Sequence, residues 1–176
     1  MNLKVTSSKT LFKGKVIDLK VDEIEYTATG NKGIREVAIH PGGAVVVALT
    51  EKNKILLVRQ FRYPMHEWVL ELPAGKLDEN EDPKICATRE LTEETGYKAG
   101  LVTKLGRIFT TPGFCTEILH IYLAEKLTFG EHAREEGEED MQMLEFTVDE
   151  IKEKIASGEI VDAKTICGLM MYLNKL

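Results

Sequence analysis

The sequence predicts an α/β protein: one α/β domain over residues 43–176, preceded by a strand-rich segment over residues 1–42. Three observations carry this expectation. Short bursts of alternating apolar and polar residues, rich in β-branched side chains, fill the N-terminal part of the chain. The run AVVVAL at 44–49 is apolar on both faces, as a central strand requires. Helix-start signals stand at Asp82-Pro83 and at Thr147, and a last helical period begins near Asp162.

In chain order, residues 3–28 carry the β-rich bursts, and the turn GNKG at 30–33 leads to IREVAIH as a hairpin partner. Two strands follow at 43–50 and 54–61, joined by the polar turn EKNK. EWVLEL at 67–72 makes a short strand before Pro73-Ala74-Gly75. Asp82 as N-cap, with Pro83 at the first helical position, starts a helix that runs to about Thr95 and stops at Gly96. Residues 100–126 alternate again and break at TTPGFC (110–115). The acidic stretch EHAREEGEED (131–140) reads as a loop, and MLEFTV as a last strand. Thr147 and Glu150 form a capping box for a helix that ends at Gly158. The final helix carries Ile166, Leu169, Met170 and Leu173 at core spacing.

The totals fit one soluble globular domain. Apolar residues make up 43% of the 176 and charged residues 30%, with nothing that points to disorder. A net charge of −6 leaves no basic surplus to displace counterions, so a nucleic-acid partner is not expected. Cys86, Cys115 and Cys167 form neither a CxxC pair nor an even framework, which suits reduced thiols in a cytoplasmic setting. MNLKVTSSKT lacks the apolar core of a signal peptide, and AVVVAL is far too short to span a membrane.

The chemistry concentrates in GKLDENEDPKICATRELTEETGY, residues 75–97. On a helix that starts at Asp82, Glu90, Glu93 and Glu94 share one face, where like charges one turn apart weaken the helix by roughly 0.2–0.5 kcal/mol per pair. A hard divalent cation removes that repulsion; Mg²⁺ takes a few carboxylates and completes its shell with waters and phosphate oxygens. Arg89 lies four residues before Glu93, within ion-pair reach, and can fix a carboxylate rotamer. Gly75 allows a tight turn that lets a carbonyl near Ala74 or Gly75 face the metal. Taken alone, RELTEE also fits a solvated helix face laced with ion pairs.

The longer pattern resembles the Nudix hydrolase family. Gly75, Glu81, Arg89-Glu90-Leu91, Glu93-Glu94 and Gly96 occupy every fixed position of the Nudix box at the family's spacing, with Tyr97 where a bulky aliphatic residue is usual. The resemblance implies an α/β/α sandwich with a mixed sheet and hydrolysis of a diphosphate linked to a further group. It implies Mg²⁺ or Mn²⁺ on Glu90, Glu93 and Glu94, with the Ala74 carbonyl as an extra ligand. Glu93 and Glu94 are thereby catalytic as well as metal-binding, while Gly75, Glu81, Arg89 and Gly96 are supporting positions.

The flanks resemble the ADP-ribose pyrophosphatase subgroup. Pro112 stands fifteen residues after Tyr97, VLELPAGKL (69–77) places Glu71 before the box, and LVRQFRYP (57–64) is similar to an arginine-bearing substrate strand. Arg59 and Arg62 alternate with Phe61 and Tyr63, so one face of that strand end is expected to carry charge and the other aromatic rings. Guanidinium groups hold phosphate and aromatic faces stack on bases, although Phe61 also fits a core position and Pro112 a turn. Arg59, Arg62, Glu71 and Pro112 are therefore the expected substrate contacts, and a small nucleotide the expected ligand. In the subgroup an N-terminal antiparallel sheet builds a homodimer, a role that residues 1–42 resemble.

AREEGEED reads first as a solvated acidic loop. In the subgroup a loop at this place supplies a glutamate that acts as general base on closing, which singles out Glu138 or Glu139. The reaction implied is hydrolysis of ADP-ribose, or a close nucleoside diphosphate sugar, to AMP and ribose 5-phosphate. The alternatives are another Nudix substrate (a GDP-sugar, an oxidised nucleoside triphosphate or a dinucleoside polyphosphate) and a non-catalytic nucleotide-binding domain. The intact box glutamates disfavour the last.

Overall fold

The computed structural model describes residues 2–130 and 140–175. It divides into two compact units, Met1–Gly42 with Phe109–Ile118, and Gly43–Ile108 with Leu119–Leu176.

In the first unit, β1 (Leu3–Lys13), β2 (Asp18–Tyr26) and β3 (Lys32–Ile39) form an antiparallel sheet in that order. Leu3 faces Tyr26 and Lys13 faces Asp18, with register shifts after Val5 and Thr10. The second turn closes at Gly30, whose left-handed φ of 72° suits glycine and whose N–H donates to the Tyr26 carbonyl. Residues 109–118 join this unit through the Ala38 N–H, which donates to the Phe114 carbonyl, and the Thr116 N–H, which donates to that of Ala38. Most of β1 is exposed, and Phe12, Val16 and Ile34 stand 59%, 58% and 64% exposed.

The second unit is built on a seven-stranded sheet. Its strands are β4 (Gly43–Leu49), β5 (Ile55–Arg62), β6 (Glu67–Glu71), β7 (Ala74–Lys76), β8 (Tyr97–Phe109), β9 (Ile118–Phe129) and β10 (Gln142–Phe146). The main order is β10-β5-β4-β9-β8, with β6 on β5 and β7 on β4. The pairing of β4 with β9 is parallel and those of β5 with β4, β6 and β10 are antiparallel, so the sheet is mixed. The apolar run of β4 is central, as expected.

Alternation along β4 divides the core. Val45 and Val47 pack with Ile55, Leu57 and Ile121 beneath α2 (Val148–Ala156) and α3 (Ala163–Leu173), where Ile151, Leu169 and Tyr172 close the layer. Ala44, Val46 and Ala48 face the other way, with Ala124 and Leu127, against Cys86, Ala87 and Leu91 of α1 (Pro83–Thr95). This is an α/β/α sandwich. Each fully buried Leu or Ile contributes about 1.5–3 kcal/mol of transfer free energy. The alanines on the α1 side leave room for that helix to lie close to the sheet.

The caps follow the sequence. Asp82 accepts from the Lys84 N–H, Pro83 occupies the first helical position, and Gly96 ends α1 at φ 75°. Thr147 and Glu150 bond reciprocally as a capping box. One expectation fails on α3. Met170 is 46% exposed, and Thr165, Gly168, Leu169 and Tyr172 form the buried stripe, with Ile166 and Leu173 at its margins. The helix turns Gly168 toward the sheet, where an added Cβ would meet Leu72 Cδ1 at 2.7 Å. An apolar count cannot see a stripe anchored on a threonine and a glycine.

Candidate active site

The site forms where β7 meets α1. Ala44 faces Gly75 in the β4–β7 ladder, and Glu90 projects from the helix onto that glycine. A Cβ at position 75 would lie 1.8 Å from Glu90 Oε1, and one at Gly43 would lie 2.5 Å from the Gly75 carbonyl oxygen. Gly75 is thus required by close approach, while its φ stays outside the left-handed region, so the expected tight turn is corrected to a short strand packed beneath a carboxylate.

Arg89 organises the acids. Its Nε and Nη2 grip the two oxygens of Glu81, each at 3.0 Å, and its Nη1 donates to Glu90 and Glu93, each at 2.8 Å. Nη2 also donates to the Lys76 carbonyl at 3.1 Å, tying the helix to β7. Hydrogen bonds to charged groups contribute about 1.5–3 kcal/mol each, so this fork offsets much of the repulsion among three neighbouring carboxylates. Arg89 holds the Glu81 carboxyl below the usual carboxylate range, and the same acids raise the guanidinium. Burial, with the negative charges of Glu81 and Glu90, pushes the adjacent Cys86 thiol up to about 12, so it stays neutral.

Glu94 lies one turn on from Glu90. It is 2% exposed and accepts from the Ala74 N–H at 3.2 Å. Across the cleft, Gln60 and Arg62 project from β5, and Lys76 and Asp78 extend its floor. The open cleft has a volume of about 370 Å³ and its lining is mainly polar. Arg62 forks onto Glu71 at 2.7 and 2.6 Å. Burial pushes the Glu71 carboxyl up, but the Arg62 hydrogen bonds and the Lys164 charge outweigh it, so the group sits below its ordinary range.

Glu90, Glu93, Glu94, Ala74, Gly75 and Arg89 line one cleft, Glu81 pairs with Arg89 beside it, and Gly96 ends the helix that carries the acids. Among the described residues, no three acidic, histidine or cysteine side chains converge as a finished set of metal ligands. Glu90 and Glu93 turn toward Arg89, and Glu94 toward the backbone.

The other expected contacts have neighbours of their own. Strand alternation puts Arg59 and Phe61 on one face and Gln60 and Arg62 on the other, which corrects the expected split of arginines from aromatics. Arg59 stacks over the Trp68 ring at 5.4 Å, beside Phe61. Phe61 is 44% exposed and not in the core. Glu71 is buried beneath the cleft wall, holding Arg62 and Lys164. Pro112 belongs to the first unit, in a turn where the Phe114 and Cys115 N–H groups donate to the Thr111 carbonyl. Glu138 and Glu139 lie outside the described residues. Gln60, Lys76 and Asp78 were not anticipated; Gln60 had a signal, because it shares the parity of Arg62.

A mixed-sheet α/β/α sandwich with a glutamate-bearing helix over a glycine strand defines a Nudix-type hydrolase, and the comparison with known families agrees. The NUDIX domain profile matches residues 40–167, and the chain belongs to that family, whose hydrolases generally use divalent metals. It is 42% identical over 172 residues to an ADP-ribose pyrophosphatase of Bacillus subtilis, covering 97% of this chain and 92% of the relative. A methanol dehydrogenase activator of Bacillus methanolicus is 40% identical with the same coverage. A GDP-mannose pyrophosphatase of Escherichia coli is 34% identical over 190 residues, covering 97% of each chain. A crystallised ADP compounds hydrolase matches with a TM-score of 0.89 over 100% of this chain and 95% of its own; at 17% identity it shares the fold.

Proposed function

We propose that the protein hydrolyses the diphosphate of ADP-ribose to AMP and ribose 5-phosphate with the help of a divalent cation, Mg²⁺ or Mn²⁺. The observation that carries this reading is the Arg89 fork, which sets Glu90 and Glu93 beside the buried Glu94 at the mouth of a polar cleft. The 42% identity to an ADP-ribose pyrophosphatase supports the substrate.

The donors fit such a cation. Glu90, Glu93 and Glu94, with the Ala74 backbone, offer only oxygen, the donor that hard divalent cations prefer, and Gly75 leaves space for the Glu90 carboxylate. Bound there, the cation would neutralise the diphosphate and favour ionisation of the attacking water. The chain's own residues do the rest. Arg89 keeps Glu90 and Glu93 in register, and Arg62 offers its guanidinium to a phosphate oxygen. Glu138 or Glu139 takes the proton of the water that adds to phosphorus as the bridging P–O bond breaks.

Residues 1–42 are read as a dimerisation segment, because Phe12 and Ile34, with Val16 in the β1–β2 turn, leave apolar surface exposed beside an exposed edge strand. Light scattering should give a dimer mass, and Phe12→Lys with Ile34→Lys should shift it toward the monomer. A monomeric wild type would remove this part of the reading. The three cysteines are free and the net charge is −6, which supports a reducing cytoplasmic setting and no nucleic-acid partner.

GDP-mannose is the second reading, favoured by the 34% identical relative. A panel of ADP-ribose, GDP-mannose, a dinucleoside polyphosphate and 8-oxo-dGTP separates the two. A tenfold preference for ADP-ribose, about 1.4 kcal/mol in transition-state binding, is expected.

A further inference from the structure

The cleft wall has a buried support. Glu71 ends β6 at 2% exposure, and two cations share its carboxylate: Arg62 through Nε and Nη2, and Lys164 through Nζ. Lys164 sits in the first turn of α3, 93 residues along the chain, and its Nζ also donates to the N-cap Asp162 at 3.0 Å. The next residue grips the same strand end: the fully buried Thr165 hydroxyl accepts the Leu72 N–H at 2.8 Å. The first turn of α3 therefore fixes Glu71 and Leu72, the two residues that lead into Pro73-Ala74-Gly75.

The charges in this cluster balance, Arg62 and Lys164 against Glu71 and Asp162. Without Lys164, Arg62 alone would have to neutralise a buried carboxylate with Asp162 nearby, and its positive potential in the cleft would fall. Arg62 grips Glu71 through Nε and Nη2 while its side chain stays 39% exposed and lines the cleft, where the guanidinium can meet a ligand anion.

We propose that Lys164 is a positioning residue for the anionic substrate. By sharing Glu71 it fixes the Arg62 guanidinium and preserves that group's charge for a phosphate oxygen. The inference rests on the reading of the cleft as a nucleoside diphosphate site.

The test compares Lys164→Met, Lys164→Arg and Arg62→Ala with wild type, using ADP-ribose and Mg²⁺. Lys164→Met should raise KM at least tenfold and change kcat less than threefold. Lys164→Arg, which keeps charge and hydrogen bonds, should return KM to within threefold of wild type. In an Arg62→Ala background, Lys164→Met should add less than twofold to KM. Should Lys164→Met fail to fold, Lys164→Gln carries the same expectation. An unchanged KM in the folded neutral variant, a failed rescue by arginine, or a full additive effect without Arg62 would overturn the proposal. A wild type that turns over no nucleoside diphosphate compound would instead defeat the functional reading beneath it.

Discussion

Glu90 lies on Gly75 so closely that a single added methyl group would come within 1.8 Å of its carboxylate oxygen. The glycine of the box is thus a steric partner of the glutamate fifteen positions later. Gly75→Ala should keep the fold, because position 75 is partly exposed and its φ suits any residue. It should push Glu90 off Arg89 and lower kcat at least a hundredfold. Circular dichroism with steady-state kinetics checks this; wild-type kcat in a folded variant would show that Glu90 need not lie there.

Arg89 makes ion pairs with three carboxylates. Arg89→Met should therefore destabilise the protein by about 2–4 kcal/mol at neutral pH, since it leaves clustered acids without their cation. Arg89→Lys should recover little, because an ammonium cannot reproduce the fork on Glu81. Urea unfolding of both variants without added metal measures the effect. Full recovery by lysine would mean that charge alone, and not geometry, is required.

The acid side of the stability profile follows from Glu71. Its folded carboxyl titrates below the ordinary glutamate value, so its contribution is complete above roughly pH 4.3 and declines as pH falls through the lower folded value. Glu71→Gln should be clearly less stable than wild type at pH 7. The gap should narrow as pH drops below about 4.3. Unfolding free energies at pH 7, 5, 4 and 3 check the sign, and a gap that widens toward low pH would contradict it.

The acidic loop separates by substitution. One of Glu138→Gln and Glu139→Gln should lower kcat by about 10²–10⁴-fold, the range of general acid–base catalysis, and the other should leave it near wild type. If both variants keep full kcat, the loop is solvated surface and the base lies elsewhere.

Much of this architecture was legible because the chain repeats its signals at several levels. Asp82-Pro83 and Gly96 bound α1 by cap chemistry, and AVVVAL reads as a strand buried on both faces. The box showed the acids through spacing that one helix face enforces. What stayed hidden depends on contacts remote in sequence. Nothing near Lys164 announces that it reaches Glu71, and β7 reads as a loop until β4 pairs with it. The stacking of Arg59 on Trp68 was missed for a local reason: two arginines three positions apart on a strand cannot share a face. Met170 failed because the buried stripe of α3 is set by Gly168 and Thr165, which carry little hydropathy.

The most direct test of the central claim is turnover of ADP-ribose by wild type and by Glu94→Gln, each with Mg²⁺ and with chelator, with products resolved by chromatography. The account predicts AMP and ribose 5-phosphate from wild type with Mg²⁺ only, and at least a hundredfold loss in Glu94→Gln with the fold retained. Wild-type turnover by folded Glu94→Gln, or undiminished turnover in chelator, would contradict the assignment of the Glu90–Glu94 face as a metal-dependent hydrolytic site.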